Sequence, residues 1–240
     1  MLRSRTSLRS LTLVLVIGGA SSVLARAQSP GQKTTPSSTR FQREIDAFLK
    51  VDSTSLPETG RIEFVGSSIF RLWSTLGEQM PTLPVFNRAF GGSQTADVLY
   101  YMDRIVLPYR PRFVVYYCGS NDVSAGENAA AIVGRVQQFH ERLQRELPAT
   151  RMFFVSVIRA PEKRNRWAVV DSVNLQLRQY AATAKNIDFI EINPSLVDSA
   201  GAVRGALYLP DSLHYRPEAY VLFTGVIKPV LERAWSASSP

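Results

Sequence analysis

From Phe41 onward the chain switches repeatedly between two apolar rhythms. Short, nearly unbroken apolar runs cover Arg61–Gly66, Val85–Phe90, Arg112–Cys118, Met152–Val157 and Ile187–Ile192, all of strand length and rich in Val, Ile, Phe and Tyr. Runs of this kind predict strands covered on both faces. Between them, apolar residues recur at helical spacing. The sets are Ile69, Leu72, Trp73 and Leu76, then Val98, Met102 and Ile105, then Ile132, Val136, Phe139, Leu143 and Leu147. Two more follow: Val170, Val173, Leu177 and Tyr180, and last Tyr220, Phe223, Ile227 and Val230. Steps of three and four residues gather each set on one helix face. Strands alternating with helices predict right-handed βαβ units and a parallel sheet, hence one α/β domain, three layers deep, over residues 41–235.

The N-terminal segment follows a different pattern. Arg3, Arg5 and Arg9 precede an apolar run from Leu11 to Leu24, and Ala25-Arg26-Ala27 follows it. A basic start, a short apolar stretch and a small-x-small site read as a secretory signal over residues 1–27, cleaved after Ala27, so the mature protein is expected to be secreted or periplasmic. The run is shorter than a bilayer requires, so no membrane span is expected after cleavage; the alternative is an uncleaved N-terminal anchor. Residues 28–40, rich in Ser, Thr, Pro and Gln, read as a flexible leader, and residues 236–240 as a disordered tail.

Composition narrows the function. Apolar residues are 45% and charged residues 20% of 240, which excludes a disordered, collagen-like or coiled-coil chain. The net charge of +8 overstates the mature surface: losing the four Arg of residues 1–27 leaves 24 basic against 20 acidic residues. No Lys/Arg block remains, so nucleic acid is not an expected partner. A single cysteine, Cys118, excludes an intrachain disulfide and a cysteine-rich metal site. Only His140 and His214 can supply imidazole chemistry, so a multi-histidine metal centre is impossible. No metal or cofactor is expected.

In open parallel sheets, ligands sit beyond the carboxyl ends of the strands. Gly66-Ser67-Ser68 follows the first run, where a serine at a helix start has its own N–H unpaired and can attack a carbonyl. Gly91-Gly92-Ser93 follows the second, bringing backbone close to a ligand. Gly119-Ser120-Asn121-Asp122 follows the third, and an Asn amide is a neutral donor suited to developing negative charge. Asp211-Ser212-Leu213-His214 precedes the last helix, and an Asp near a His fixes its tautomer. Each motif alone also reads as an ordinary helix cap or turn. His140, set among Gln137, Gln138, Glu141 and Arg142, reads as a surface or rim residue, which leaves His214 as the candidate base. Jointly the four segments supply the parts of an acyl-transfer site.

The stretches FVGSSI, NRAFGGSQT, GSND and DSLH resemble, in order, the four blocks of the SGNH hydrolases, also called the GDSL esterase/lipase family. The resemblance runs from about Ile62 to Tyr220. It implies a flavodoxin-like three-layer sandwich with a central five-stranded parallel sheet ordered 2-1-3-4-5, and metal-independent ester hydrolysis through an acyl-enzyme. By that likeness Ser68 is the nucleophile, Asp211 and His214 complete the triad, and the Ser68 and Gly92 N–H groups with the Asn121 amide form the oxyanion hole. Ser67 stands where the first block usually has Asp, which bears on how that loop is held. The G-x-S-x-G elbow of α/β-hydrolases is absent.

The substrate is less legible. Arg166 and Trp167, in the loop after the fourth strand, are candidate contacts for an anionic or sugar substrate, against the plainer reading of a solvated loop ending in a core Trp. No long apolar lid is evident, which favours short acyl groups, such as acetyl, on a small-molecule or carbohydrate ester. The rival is a non-catalytic carbohydrate- or ligand-binding module that keeps the fold. A nucleotide-binding protein is disfavoured because neither G-x-x-x-x-G-K-[ST] nor G-x-G-x-x-G occurs.

Overall fold

The computed structural model describes residues 40–237. The signal expected over residues 1–27 and the leader before residue 40 lie outside them. Among the described residues, no helix is long and apolar enough to cross a membrane. The chain runs α1 (Gln42–Asp52), β1 (Ile62–Gly66), α2 (Ser68–Arg71), α3 (Leu76–Gln79), β2 (Val85–Asn87), α4 (Thr95–Tyr100) and α5 (Met102–Ile105). It continues with β3 (Phe113–Tyr117), α6 (Ser120–Ser124), α7 (Ala129–Glu146), β4 (Arg151–Val155), α8 (Trp167–Thr183), β5 (Ile187–Ile190) and α9 (Pro217–Ala237).

The five strands form one sheet in the order β2-β1-β3-β4-β5, every pair parallel. All five residues of β1 and of β3 are buried, as central strands covered on both faces must be. Side chains alternate between the faces with the strand period of two. Phe113, Val115 and Tyr117 enter one core with Trp73, Tyr220 and Phe223, whereas Val114 and Tyr116 enter the other with Val98, Phe139 and Val173. That gives the three layers expected from the sequence.

Four local expectations are corrected. The stripe Ile69–Leu76 is not one helix but two single turns, α2 and α3, because the intervening Trp73 turns into an aromatic cluster with Phe64, Phe70 and Tyr220. Val98, Met102 and Ile105 divide likewise between α4 and α5, with Tyr101 at the joint. The α9 helix carries on through Ser236 and Ala237, where the sequence predicts a tail. His140 is buried rather than on the rim: α7 packs on α8, and its Nδ1 lies 2.8 Å from the Tyr180 hydroxyl. Burial holds the His140 pKa below the ordinary value of 6.5.

One buried group has no evident structural use. Glu63, the second residue of β1, is 0% exposed, and neither carboxyl oxygen has a hydrogen-bond partner. Burial pushes its pKa well above 4.5; the Arg88 charge opposes this and the Asp52 charge adds to it. Arg88 is engaged elsewhere, bonded to Asp52 and to the Tyr109 hydroxyl. The folded chain therefore keeps a proton on Glu63 that the unfolded chain releases above pH 4.5, so stability falls as pH rises from there toward the folded-state value. The slope within that window is up to about 1.4 kcal/mol per pH unit. Glu63→Met, close in volume and needing no partner, is expected to raise Tm, and by more at pH 8 than at pH 5. Thermal melts at the two values check it; an equal shift at both would show that Glu63 does not titrate in this way.

Candidate active site

The end of β1 is shaped by backbone contacts. Gly66 adopts φ +137° beside Tyr117, and the next N–H, from Ser67, donates to the Tyr117 carbonyl at 3.0 Å. The Gly66 carbonyl in turn accepts the Phe90 N–H at 2.9 Å and the Ser93 hydroxyl at 3.1 Å. Ser68 then opens α2, where its N–H has no carbonyl one turn back to bind within the helix. Neither Ser67 nor Ser68 caps the helix through its side chain. Ser67, the residue before the helix, makes no side-chain cap bond, and the Ser68 hydroxyl is turned to another element.

That element is the loop before α9. The Ser68 hydroxyl donates to His214 Nε2 at 2.9 Å, across 146 positions of sequence. His214 Nδ1 donates to Asp211 Oδ2 at 2.6 Å. The other Asp211 oxygen accepts the Leu213 and His214 N–H groups at 3.0 and 2.9 Å, closing a tight turn that aims the carboxylate at the ring. The bond from His214, helped by those two N–H groups, lowers the Asp211 pKa from 3.8 to about 2. Asp211 therefore remains a carboxylate wherever the imidazole is neutral, and its bond to Nδ1 leaves Nε2 as the free base nitrogen. Docking of α9 makes this meeting possible: the Tyr220 hydroxyl donates to the Ile69 carbonyl inside α2 at 3.0 Å.

Two further donors face the same cavity, which has a volume of about 440 Å³. Gly92 sits at φ +79°, and no described acceptor takes its N–H. Asn121, early in α6, spends one amide N–H on the Ser93 carbonyl at 2.9 Å, which fixes the plane of the group and leaves the second N–H free. Ser68, Gly92, Asn121 and His214 all line this space. The fold thus gathers a hydroxyl, a base, an orienting carboxylate and three unengaged donors at one end of the sheet.

Comparison with known proteins places the chain in a family. Residues 64–222 match the model of the GDSL-like Lipase/Acylhydrolase family. The chain belongs to that family. No curated protein matches it. Among solved structures, this GDSL-like protein is similar to a GDSL-like lipase from Bacteroides thetaiotaomicron, with TM-score 0.68 and 22% identity over 79% of this chain and 98% of that one. It is also similar to a carbohydrate esterase family 3 protein from Talaromyces cellulolyticus, with TM-score 0.62 and 17% identity over 75% and 100% of the two chains. An acetyl esterase variant holding an acetate ion has TM-score 0.60 and 16% identity, over 75% of this chain and all of that one. At such identities the likeness is one of fold. Family membership supports ester hydrolysis as the class of reaction.

The GDSL-like chain holds its first loop without the Asp usual in that block. The Ser67 hydroxyl in its place is buried and unpartnered, and Ser93 does the tying instead. Ser93 clamps Gly66 through its hydroxyl and orients Asn121 through its carbonyl, so it joins three of the four blocks. Its place next to Gly92 is visible in the sequence, but its two bonds are not. Asp122, a turn or cap residue by its place in the sequence, has a larger part in the fold. It is fully buried, accepts the Thr95 N–H at 3.0 Å and hydroxyl at 2.5 Å, and pairs with Arg135 at 3.1 Å. Arg166 and Trp167 lie elsewhere: Arg166 donates to the Glu127 carbonyl at 2.9 Å, and Trp167 lines a 750 Å³ groove with Arg159 and Asp171. That groove shares no lining residue with the Ser68 cavity. Among the described residues, no group of three or more His, Cys, Asp or Glu could hold a metal.

Proposed function

We propose that the protein is an exported serine esterase that cleaves short acyl groups, acetyl above all, from small-molecule or carbohydrate esters. The observation that carries this reading is the unbroken chain of bonds from Asp211 through His214 to Ser68, at 2.6 and 2.9 Å. In the reaction, Nε2 of His214 takes the Ser68 proton as Oγ attacks the ester carbonyl. The tetrahedral oxyanion is held by the N–H groups of Ser68 and Gly92 and by the Asn121 amide. Asp211 stabilises the imidazolium without taking its proton. His214 then protonates the leaving alcohol, and water repeats the sequence on the acyl-enzyme to release the acid.

The lining of the cavity supports a short acyl group, since Leu213 is the one large apolar side chain among the residues around it and a long acyl chain would find little apolar surface there. Likeness to a carbohydrate esterase and to an acetyl esterase supports the sugar and acetyl choices. Export rests on the pattern of residues 1–27. The test is a chain-length series of p-nitrophenyl esters beside acetylated glycans, run on wild type and Ser68→Ala. Turnover that rises with acyl length would overturn the short-acyl choice.

Asn121→Ala is expected to lower kcat by ~100–1,000-fold, the usual effect of removing one oxyanion donor. Asn121 is a side-chain donor held by a single bond to Ser93, so Tm should move far less than kcat. Steady-state kinetics beside a thermal melt separate the two effects. Wild-type kcat in that variant would remove Asn121 from the oxyanion hole.

A further inference from the structure

We infer that Arg71 is an anion-recognising residue of the Ser68 cavity, selecting esters that carry a carboxylate or phosphate near the scissile bond. The inference rests on the esterase reading above and names the substrate class for the same site. Ser68 and Arg71 are three residues apart in α2, so their side chains leave the same face about 5–6 Å apart. Both line the cavity.

Gly91 explains how Arg71 is held there. A Cβ on Gly91 would lie 2.6 Å from Arg71 Nε and 3.4 Å from Cδ and Cζ, so the guanidinium rests against bare backbone in the loop that carries Gly92. Gly91, unlike Gly92, has no left-handed φ, so its backbone does not itself demand glycine. What a side chain at Gly91 would displace is Arg71.

The guanidinium is also uncommitted. Arg88, Arg135 and Arg151 each pair with a carboxylate, whereas Arg71 has neither an ion pair nor a side-chain hydrogen bond among the described residues. Glu44 lines the same cavity but does not pair with it. Arg40, on the Gly92 carbonyl at 3.3 Å, is already near Asp97. Arg71 therefore offers a planar fork of donors beside the nucleophile, a geometry that suits a carboxylate or phosphate.

The test compares kcat/KM for matched esters. Mono-p-nitrophenyl succinate against p-nitrophenyl butyrate puts the charge on the acyl side. The compounds 3-acetoxybenzoate and 3-acetoxyphenyl phosphate, each against 3-acetoxybenzamide, put it on the leaving group. For at least one pair, Arg71→Gln should lower the charged-to-neutral ratio about tenfold. Arg71→Lys should recover part of the loss, and Gly91→Ala should reproduce it by pushing the guanidinium aside. Arg145→Gln, at the far end of α7, should keep the wild-type ratio. Equal ratios in Arg71→Gln and Arg145→Gln for every pair would overturn the inference.

A binding measurement keeps the two readings apart. By calorimetry, the charged esters should bind Ser68→Ala about tenfold more tightly than the double variant Ser68→Ala/Arg71→Gln. Equal affinities, or no binding to Ser68→Ala, would sink the role of Arg71. Wild-type turnover in Ser68→Ala would instead sink the nucleophile assignment.

Discussion

Ser68→Ala is expected to lower ester turnover by about 10⁵–10⁶-fold while leaving the fold intact, because the hydroxyl is the attacking group in the proposed reaction. The side-chain bond it makes is to His214, so its loss removes no support from α2, which Tyr220 holds through the Ile69 carbonyl. Far-UV circular dichroism and Tm should match wild type. His214→Ala should cost about as much as Ser68→Ala, and the double variant scarcely more, since nucleophile and base act as one unit. Asp211→Ala should cost some 10- to 100-fold less than either. Its carboxylate is 48% exposed on the side chain, so water can partly replace it in solvating the imidazolium. Single-turnover kinetics with an activated ester would measure all four. Additive losses for Ser68 and His214 would mean that the two do not share one proton-transfer step.

Gly66→Ala has the largest expected effect on folding. At φ +137° an L side chain is strained, and the added Cβ would stand 1.8 Å from the Tyr117 carbonyl oxygen and 2.6 Å from its carbon. Both atoms are backbone of β3, paired with Gly66 in the sheet register, so neither can swing aside. Relief requires parting two central strands where Ser67 also bonds to Tyr117. The loss should exceed about 4 kcal/mol, enough to deprive the chain of a stable fold. Gly134→Ala makes the contrast. Gly134 lies inside α7 with nothing within 4 Å of its Cβ position, so Ala there should stabilise by about 1 kcal/mol. Chemical denaturation of the two variants beside wild type decides the matter; a soluble, wild-type-stable Gly66→Ala would contradict the backbone clash.

The difference between these glycines could not be read from the chain, whereas much of the fold could. Apolar runs located all five strands to within a few residues, because burial on both faces keeps the central β1 and β3 apolar, Glu63 excepted, and the other strands still place most of their residues in a core. Their ends were less legible. The run Met152–Val157 overshoots β4 because Asn174 of α8 captures the Val157 N–H and carbonyl at 2.8 Å each, ending the ladder from outside the strand. The stripe through Ile69, Trp73 and Leu76 recorded burial correctly but not one continuous helix, since an aromatic cluster buries Trp73 between two single turns. His140 misled for a related reason. Its neighbours Gln137 and Glu141 are polar, but Val136 and Leu143, four and three residues away, set the face it occupies.

The candidate site divides along the same line. Residue types and their order after successive strands, together with resemblance to a family, were enough to single out Ser68, Gly92, Asn121, Asp211 and His214. Those are local facts, written in short segments. The 2.9 Å contact between Ser68 and His214, the buried Asp122–Thr95–Arg135 linkage, the role of Ser93 and the placing of Trp167 in a separate groove were decided only in three dimensions. Apolar rhythm along a chain reports which residues leave water, because burial is a property of each residue in its own element. Which polar atoms then meet depends on how whole helices dock, and here Tyr220, Trp73 and Phe223 bring α9 against α2 through contacts that no short stretch of sequence contains.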